Sequence, residues 1–290
     1  MGVPAAEQLD VPVAGGSLRV ARWGSTGPTV LAVHGITATH MAWVAVAGHS
    51  TDVTLLAPDL RGRGRSAQLP GPYGIAAHVA DLVALLDWVG CERAVVAGHS
   101  MGGFVAVALA ARHPDRVSRL VLADGGLPTG RPQDPAPPDQ IDTVLGPAAQ
   151  RLAMTFASRA AYRDFWRAHP AIGPIWGPSV EAYVDYDLDG EPPQLRPSCR
   201  EQAMRTDGAE ILDHAATAAD LRRAGVPIVF LRAERGLLDA EPFYLEDRVT
   251  RWSQGTPTVR ARTVPNTNHY SLLLSDRGAV AVAHAVRSGR

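Results

Sequence analysis

The chain has 290 residues, which suits one α/β domain with an insertion or two small domains. Its hydrophobic content of 46% is that of a globular protein with a large core. The formal net charge of −1 gives no electrostatic reason to expect nucleic acid or an anionic membrane as a partner. The sequence contains no lysine, which excludes Schiff-base chemistry and a P-loop lysine.

Cysteine usage and the first residues bear on the cellular compartment. Cys91 and Cys199 form neither a C-x-x-C pair nor a disulfide framework, which favours a reducing setting. Residues 1–10 lack a basic segment followed by an apolar one, and no apolar run approaches the roughly 18 residues that span a membrane. We therefore expect a cytoplasmic protein.

Short apolar runs alternate with helical patterns along the chain. The hairpin predicted at Val11–Trp23 is followed by six runs rich in Val, Leu or Ile, each ending at a turn signal. These predicted strands are Thr29–Val33, Thr54–Ala57, Arg93–Ala97, Arg119–Ala123, Pro227–Arg232 and Thr258–Val264. Helices are predicted over Gly74–Val89, Ser100–Arg112 and Tyr270–Arg287. The alternation predicts a right-handed βαβ arrangement around a parallel sheet.

The stretch from 127 to 220 breaks this alternation. Leu127–Pro147 is dense in Pro, Gly and Asp, and helix-like segments with several aromatic residues follow it. A long insertion between two strands predicts a helical cap over the carboxyl edge of the sheet, where open α/β sheets bind ligands. The expected division is a core of residues 1–126 and 221–290 with a cap of residues 127–220. We expect limited proteolysis to begin in Leu127–Pro147.

The sequence Gly98-His99-Ser100-Met101-Gly102 is a G-x-S-x-G motif between a predicted strand and a predicted helix. This is the context that a nucleophile elbow requires. Side chains two residues to either side of Ser100 would collide in so tight a turn, so both positions are glycine. We therefore identify Ser100 as the candidate nucleophile, at a helix N-terminus that favours negative charge.

Four motifs in this order resemble those of the α/β-hydrolase-fold enzymes: His34-Gly35, Asp59–Ser66 (DLRGRGRS), the Ser100 elbow and a histidine near the C-terminus. The resemblance runs over nearly the whole chain and is weakest in the expected cap. It implies an α/β fold with an eight-stranded, mostly parallel sheet and helices on both faces. It also implies oxyanion-hole donors at the backbone N–H groups of Ile36 and Met101. We expect His34, His99 and Asp59 to be structural, and the arginines of the second motif to lie near the surface.

The candidate base is His269, which lies between the last predicted strand and the last predicted helix. A histidine with a pKa near ~6.5 can take the serine proton and return it to the leaving group. The acid is less clear, because Gly236 stands where most of the family has it. Asp124, after the preceding strand, is our first candidate, and some family members place their acid there. Asp239 and then Glu234 remain as alternatives.

The resemblance implies a serine hydrolase that cleaves a small or medium apolar carboxylic ester or lactone through an acyl-enzyme. A serine at the elbow argues against the dehalogenase and epoxide-hydrolase branches, which use aspartate there. A C–C bond hydrolase acting beside a ketone and a non-catalytic ligand-binding protein remain as alternatives. We expect a small-molecule substrate, no cofactor and no metal. The sequence gives no indication of the oligomeric state.

Overall fold

A computed structural model describes residues 2–129 and 140–288, of which 140–145 are described by their backbone alone. Its strands are β1 (Glu7–Val13), β2 (Gly16–Trp23), β3 (Thr29–Val33), β4 (Thr54–Pro58), β5 (Ala94–His99), β6 (Val117–Ala123), β7 (Leu188–Asp189), β8 (Arg196–Pro197), β9 (Ile228–Arg235) and β10 (Val259–Asn268). The six runs predicted as strands and the N-terminal hairpin are thereby confirmed. Part of the predicted cleavage segment, residues 130–139, lies outside the described residues.

The main sheet has eight strands in the order β1-β2-β4-β3-β5-β6-β9-β10, and β7 pairs with β8 apart from it. Strand β2 runs antiparallel to both β1 and β4. All other neighbours in this sheet are parallel. The expected eight-stranded, mostly parallel sheet is confirmed. Strands β3, β5, β6, β9 and β10 all end at its carboxyl edge, so residues far apart in the sequence lie close together there.

Helices cover both faces of this sheet. They are α1 (Val44–Gly48), α2 (Ile75–Trp88), α3 (Met101–Arg112), α4 (Gln140–Ala153), α5 (Arg159–Arg167), α6 (Pro178–Tyr186), α7 (Glu201–Ile211), α8 (His214–Arg223), α9 (Glu246–Gly255), α10 (Ser271–Leu274) and α11 (Asp276–Ser288). Alternate residues of β3 enter different cores: Val30 and Ala32 pack with α1, α10 and α11, whereas Leu31 and Val33 pack with α2 and α3. Burial on both faces explains why the strands lack an apolar–polar alternation.

Helices α4 to α8 form the insertion between β6 and β9. The last of them, α8, packs on α3, and its Leu221 belongs to the core on that side of the sheet. Helix α4 instead packs on α7, and its Leu152 contacts the small cluster of Cys199 and Met204. The division into a core and a cap with bounds at 127 and 220 stays a prediction.

The single helix predicted over Tyr270–Arg287 is wrong, because the structure has α10 and α11 there. The break is at Ser275, whose backbone is extended with φ −86° and ψ 153°. The Ser275 hydroxyl accepts the Gly278 N–H at 3.2 Å and so caps the start of α11. Serine followed by Asp276 is a common helix start, and this local signal outweighs the continuous apolar pattern.

Two further observations bear on the predicted compartment. Across residues 2–129 and 140–288, no helix combines the length and the apolar character needed to cross a bilayer. Cys91 and Cys199 are both free thiols. The compartment itself stays a prediction.

Candidate active site

Ser100 lies between β5 and α3, in a backbone conformation that few residues adopt, with φ 52° and ψ −125°. A Cβ atom at Gly98 would lie 2.3 Å from the carbonyl oxygen of Gly102. A Cβ at Gly102 would lie 2.1 Å from the carbonyl oxygen of Val33. Both glycines are therefore required by close backbone contacts, as the motif predicts. The turn presents the Ser100 side chain at the carboxyl edge of the sheet.

Asp124 and His269 are in direct contact at this edge. The Oδ2 atom of Asp124 lies 2.7 Å from Nδ1 of His269, and both side chains are buried. The other carboxylate oxygen accepts the backbone N–H of Ala233 at 3.1 Å, and the Asp124 N–H donates to Leu231 at 2.9 Å. Because an ionised carboxylate only accepts hydrogen bonds, the imidazole proton in this contact belongs on Nδ1. This tautomer leaves Nε2 free to accept a proton.

The two alternative acids have other partners. Asp239 accepts hydrogen bonds from Arg235 Nε and Asn268 Nδ2, both at 2.8 Å. Burial raises the pKa of the Asp239 carboxyl, but the bonds from Arg235 and Asn268 outweigh it and hold this pKa below its usual value. Glu234 accepts the backbone N–H of Asn266 at 2.7 Å. The structure therefore places Asp124 against the imidazole of His269, and Asp239 and Glu234 against its neighbours in the loop.

The peptide between Gly35 and Ile36 is held through its carbonyl group. That oxygen accepts the Ala38 N–H at 3.2 Å and lies 2.7 Å from His34 Nδ1. The Leu60 N–H donates to His34 Nε2 at 2.9 Å, so the proton of the imidazole is on Nδ1 and points at Gly35. Burial lowers the pKa of His34 to about 3, which keeps the ring neutral. Since the two ends of a trans peptide point in opposite directions, this anchoring also directs the Ile36 N–H.

Gly35 brings this peptide close to the elbow. A Cβ atom on Gly35 would lie 3.2 Å from Cβ and 3.7 Å from Oγ of Ser100. Met101 is the first residue of α3, so its N–H has no acceptor within the helix. The N–H groups of Ile36 and Met101 therefore belong to the two backbone segments that adjoin Ser100.

His99 links the elbow to the loop that carries His269. Its Nε2 atom lies 2.9 Å from the carbonyl oxygen of His269, and the two rings lie 4.7 Å apart between centroids. Burial, followed by the proximity of His269, lowers the pKa of His99 well below its usual value. The ring is therefore neutral and donates through Nε2. Within the described part of the chain, no hydrogen bond joins the Ser100 hydroxyl to His269; such bonds are often long before substrate binds.

Asp59 has the structural role that the sequence indicates. One of its carboxylate oxygens accepts the backbone N–H of His40 and the other that of Arg65, both at 2.8 Å. His40 also contacts this carboxylate through Nδ1 at 2.8 Å, and Tyr186 donates to it at 2.7 Å. Burial raises the pKa of Asp59, but its contacts with His40 and Tyr186 prevail and lower it to about 2.

The prediction that the arginines of this motif lie near the surface is wrong for two of the three. Arg61 and Arg63 are buried, with relative exposures of 4% and 0%, whereas Arg65 is exposed. Arg61 forms a two-pronged ion pair with Asp81, at 2.9 and 2.7 Å. Arg63 lies 2.5 Å from Asp207. A buried guanidinium is stable when a carboxylate and backbone carbonyls satisfy it, and the sequence pattern does not show such distant partners.

Aromatic side chains surround His269. Phe243 and Tyr270 lie 5.4 and 5.8 Å from its ring centroid. Trp166 lies 6.2 Å from Tyr270, and the carbonyl of Ala171 accepts a hydrogen bond from the His269 loop at 3.0 Å. The segment that follows α5 therefore lies against this loop. A recess of about 370 Å³ between α1 and the start of α6 lies elsewhere, and none of the predicted site residues lines it.

Sequence reasoning missed a buried ion pair within the insertion. Arg151 donates to Asp187 and to the Tyr162 hydroxyl, both at 2.7 Å, and its guanidinium lies 5.2 Å from the ring centroid of Trp166. Ser198 donates to the same aspartate at 3.1 Å. These residues come from α4, α5 and the segment around β7 and β8, and no local pattern connects them. They fix the helices that lie beside the His269 loop.

Comparison with known proteins agrees with this architecture. Residues 28–274 match the model of a family described by its alpha/beta hydrolase fold. This chain belongs to the α/β-hydrolase fold family. The similar solved structure of E-2-(acetamidomethylene)succinate hydrolase has a TM-score of 0.78 and 20% identity, and covers 97% of this chain and 99% of that one. At that identity the likeness shows the fold alone.

Relatives of this α/β hydrolase are similar over shorter stretches. Lipase LipV of Mycobacterium tuberculosis is 47% identical over 108 residues, which cover 37% of this chain and 41% of the relative. Epoxide hydrolase 2 of Siraitia grosvenorii is 36% identical over 119 residues, which cover 40% of this chain and 37% of the relative. Each match spans less than half of the relative, so the activities in these names belong to those proteins.

Proposed function

We propose that this α/β hydrolase is a serine hydrolase that cleaves a small or medium apolar carboxylic ester or lactone through an acyl-enzyme. The observation that carries the proposal is the buried contact of 2.7 Å between Asp124 and His269, beside the strained elbow of Ser100. This arrangement supports a catalytic triad of a nucleophile, a base and an acid that orients the base.

The proposed acylation step begins with Ser100. Its Oγ atom attacks the carbonyl carbon of the ester while its proton passes to Nε2 of His269. Asp124 holds the other ring nitrogen and stabilises the imidazolium that forms. The tetrahedral intermediate collapses when the bond to the leaving oxygen breaks and His269 returns the proton to it. A water molecule then repeats the sequence on the acyl-enzyme and releases the carboxylic acid.

The negative charge of the tetrahedral intermediate would be stabilised by the N–H groups of Ile36 and Met101. The anchoring of the Gly35 carbonyl by His34 and Ala38 supports this role, because a donor that is already oriented does not need to reorganise during the reaction. Removal of one such donor typically costs ~10²–10³ in rate.

The substrate class rests on the surroundings of His269. Phe243, Tyr270 and Trp166 supply apolar surface beside the base. These aromatic side chains favour an apolar acyl or alcohol group of limited size. The serine at position 100 supports acyl transfer rather than epoxide opening, for which the family uses an aspartate at the elbow.

Hydrolysis of p-nitrophenyl esters from acetate to decanoate tests this function. We expect the wild-type protein to release p-nitrophenol and the Ser100→Ala variant to lose this activity while keeping its circular-dichroism spectrum. The dependence on chain length then measures the size of the acyl site. A folded wild-type protein that hydrolyses none of these esters and is not labelled by a fluorophosphonate would contradict the proposal and favour a ligand-binding protein.

A further inference from the structure

Arg63 contacts both of the residues whose N–H groups adjoin Ser100. Its side chain is fully buried, and its Nε–H donates to the carbonyl oxygen of Ile36 at 2.9 Å. One of its terminal nitrogens lies 3.9 Å from the sulfur of Met101. A single guanidinium therefore contacts the segment after β3 and the first residue of α3, although these are far apart in the sequence.

The cation of Arg63 is held from the insertion. Nη1 lies 2.5 Å from the carboxylate of Asp207 in α7. Asp207 also contacts Nε2 of His78 at 2.9 Å and accepts the backbone N–H of Gly74 at 2.7 Å. Burial raises the pKa of Asp207, but its contacts with His78 and Arg63 prevail and lower it below its usual value. A buried pair with these additional hydrogen bonds fixes the position of the guanidinium.

The contact with Ile36 completes the fixation of its backbone. The peptide that precedes Ile36 is anchored at the Gly35 carbonyl by His34 and Ala38. The peptide that follows Ile36 is anchored at its carbonyl by Arg63. Without Arg63, this carbonyl would keep only the weak hydrogen bond from the Cys199 thiol at 3.8 Å, and the peptide that follows Ile36 would be held less firmly. Movement of that peptide would loosen Ile36 on one side, so its N–H would be held less precisely at the place where an oxyanion forms.

We propose that Arg63 is a positioning residue for the oxyanion hole, and that Asp207 holds it in place from α7. This inference rests on the proposed function, because it assumes that the N–H groups of Ile36 and Met101 stabilise the transition state. Arg63 touches neither Ser100 nor the reacting atoms. Its effect is carried by the backbone of Ile36 and by the start of α3.

Arg61 supplies a matched control. It lies two residues away in the same motif, is also buried, and forms its own ion pair with Asp81. Its other hydrogen bonds go to the carbonyls of Pro70 and Ala14, away from the segments that adjoin Ser100. The loss of either guanidinium removes a buried ion pair, but only the loss of Arg63 removes contacts with Ile36 and Met101.

The experiment compares the rates at which a fluorophosphonate labels Ser100 in the wild type, Arg63→Met and Arg61→Met. In this reaction the Ser100 Oγ–P bond forms, the P–F bond breaks, fluoride leaves, and the serine proton passes to His269. The phosphoryl oxygen takes the place of the oxyanion. Rates are measured at a temperature at which circular dichroism shows all three proteins to be folded.

We expect Arg63→Met to be labelled roughly tenfold to a hundredfold more slowly than the wild type, and Arg61→Met within about twofold of it. The effect is smaller than the ~10²–10³ that removal of a donor costs, because Arg63 orients a donor that is still present. The pH midpoint of labelling stays unchanged in Arg63→Met, because the base is intact. Equal rates in the two variants, or a shifted midpoint in Arg63→Met alone, overturn the inference and leave the proposed function standing. Absence of labelling in the folded wild type overturns the proposed function and the inference with it.

Arg63→Lys keeps the test decisive if Arg63→Met does not fold. Lysine retains a cation beside Asp207 but lacks the planar fork that reaches Ile36, Met101 and the carboxylate together. We expect this variant to fold and to be labelled roughly tenfold more slowly than the wild type. Labelling of a folded Arg63→Lys at the wild-type rate overturns the inference.

Discussion

Two turns at the carboxyl edge of the sheet each carry an aspartate with a positive φ but use it differently. Asp124 follows β6 with φ 49°, and Asp239 lies in the loop after the neighbouring β9 with φ 60°. Both carboxylates reach the loop of His269. Asp124 contacts the imidazole itself at 2.7 Å, whereas Asp239 accepts a hydrogen bond from the side chain of the preceding Asn268 at 2.8 Å.

The difference lies in how each negative charge is satisfied. Asp124 is buried, and its oxygens contact a backbone N–H and the imidazole. The side chain of Asp239 is 33% exposed and forms an ion pair with Arg235 at 2.8 Å. A buried carboxylate that contacts a backbone N–H and the imidazole can orient that ring, whereas a carboxylate that is paired with an arginine and partly solvated holds the arginine instead. An aspartate that follows a strand is therefore not necessarily the acid that orients His269, because the groups that contact its carboxylate determine its role.

The largest expected effect comes from neutralising the buried aspartate. Asp124→Asn should lower kcat for p-nitrophenyl acetate by up to ~10⁴, because the amide cannot hold the imidazole in the right tautomer or stabilise its charge. Asp239→Asn, the matched change in the neighbouring turn, should keep kcat within a few-fold of the wild type. Steady-state kinetics on both variants measures the comparison, and the reverse ranking would assign the acid to Asp239.

A second expected effect concerns Gly236, which stands where most of the family has its acid. A Cβ atom there would lie 2.1 Å from the carbonyl oxygen of Glu241. Gly236→Asp should therefore lower the free energy of unfolding by about 1–3 kcal/mol, as overpacking does. It should also fail to restore kcat when combined with Asp124→Asn. Urea unfolding and ester kinetics test both parts, and recovery of activity in the double variant would show that this turn can supply the acid.

The smallest expected effect is a difference between His99 and Asp239 in the pH range over which each loses its contribution to stability. His99 is buried beside His269 with a lowered pKa, so below pH ~6.5 the unfolded chain binds a proton that the folded protein does not. The contribution of His99 to the free energy of unfolding is complete above that pH and is lost as the pH falls. Asp239, whose pKa is lowered, contributes stability that is lost only below its unfolded value of 3.8.

His99→Gln isolates the contribution of the buried histidine, because glutamine can keep the donor toward the carbonyl of His269 without titrating. Between pH 6 and pH 5, the loss of unfolding free energy should be smaller in this variant than in the wild type. Asp239→Asn should leave the slope in this range unchanged. Urea unfolding at several pH values measures the slopes, and parallel curves for the wild type and His99→Gln would show that His99 titrates normally in the folded protein.

The parts of the fold that were predictable are those specified by local pattern. Each strand of the sheet's centre is a short apolar run followed by a turn, and the glycines around Ser100 are required by contacts within the elbow and with β3. The end of α10 was not predictable from apolar periodicity, because the capping side chain of Ser275 ends the helix locally.

The contacts that the sequence did not predict depend on partners that lie far away along the chain. Arg63 looks like an exposed arginine in a Gly-rich turn until Asp207 of α7 is placed beside it. The pair of Arg151 and Asp187 likewise joins two segments of the insertion in which no spacing indicates a contact. Buried charges are satisfied by tertiary structure, so sequence periodicity, which reports local burial, assigns them to the surface.

Trapping of the covalent intermediate tests the central claim most directly. The wild-type protein is mixed with p-nitrophenyl acetate, quenched in acid within the first turnovers and digested, and its peptides are examined by mass spectrometry. We expect an acetyl group on Ser100 that is absent from Ser100→Ala. Hydrolysis that is abolished by Ser100→Ala but leaves no acetyl group on Ser100 even in single-turnover quenches, or an acetyl group on another residue during turnover, would contradict the account.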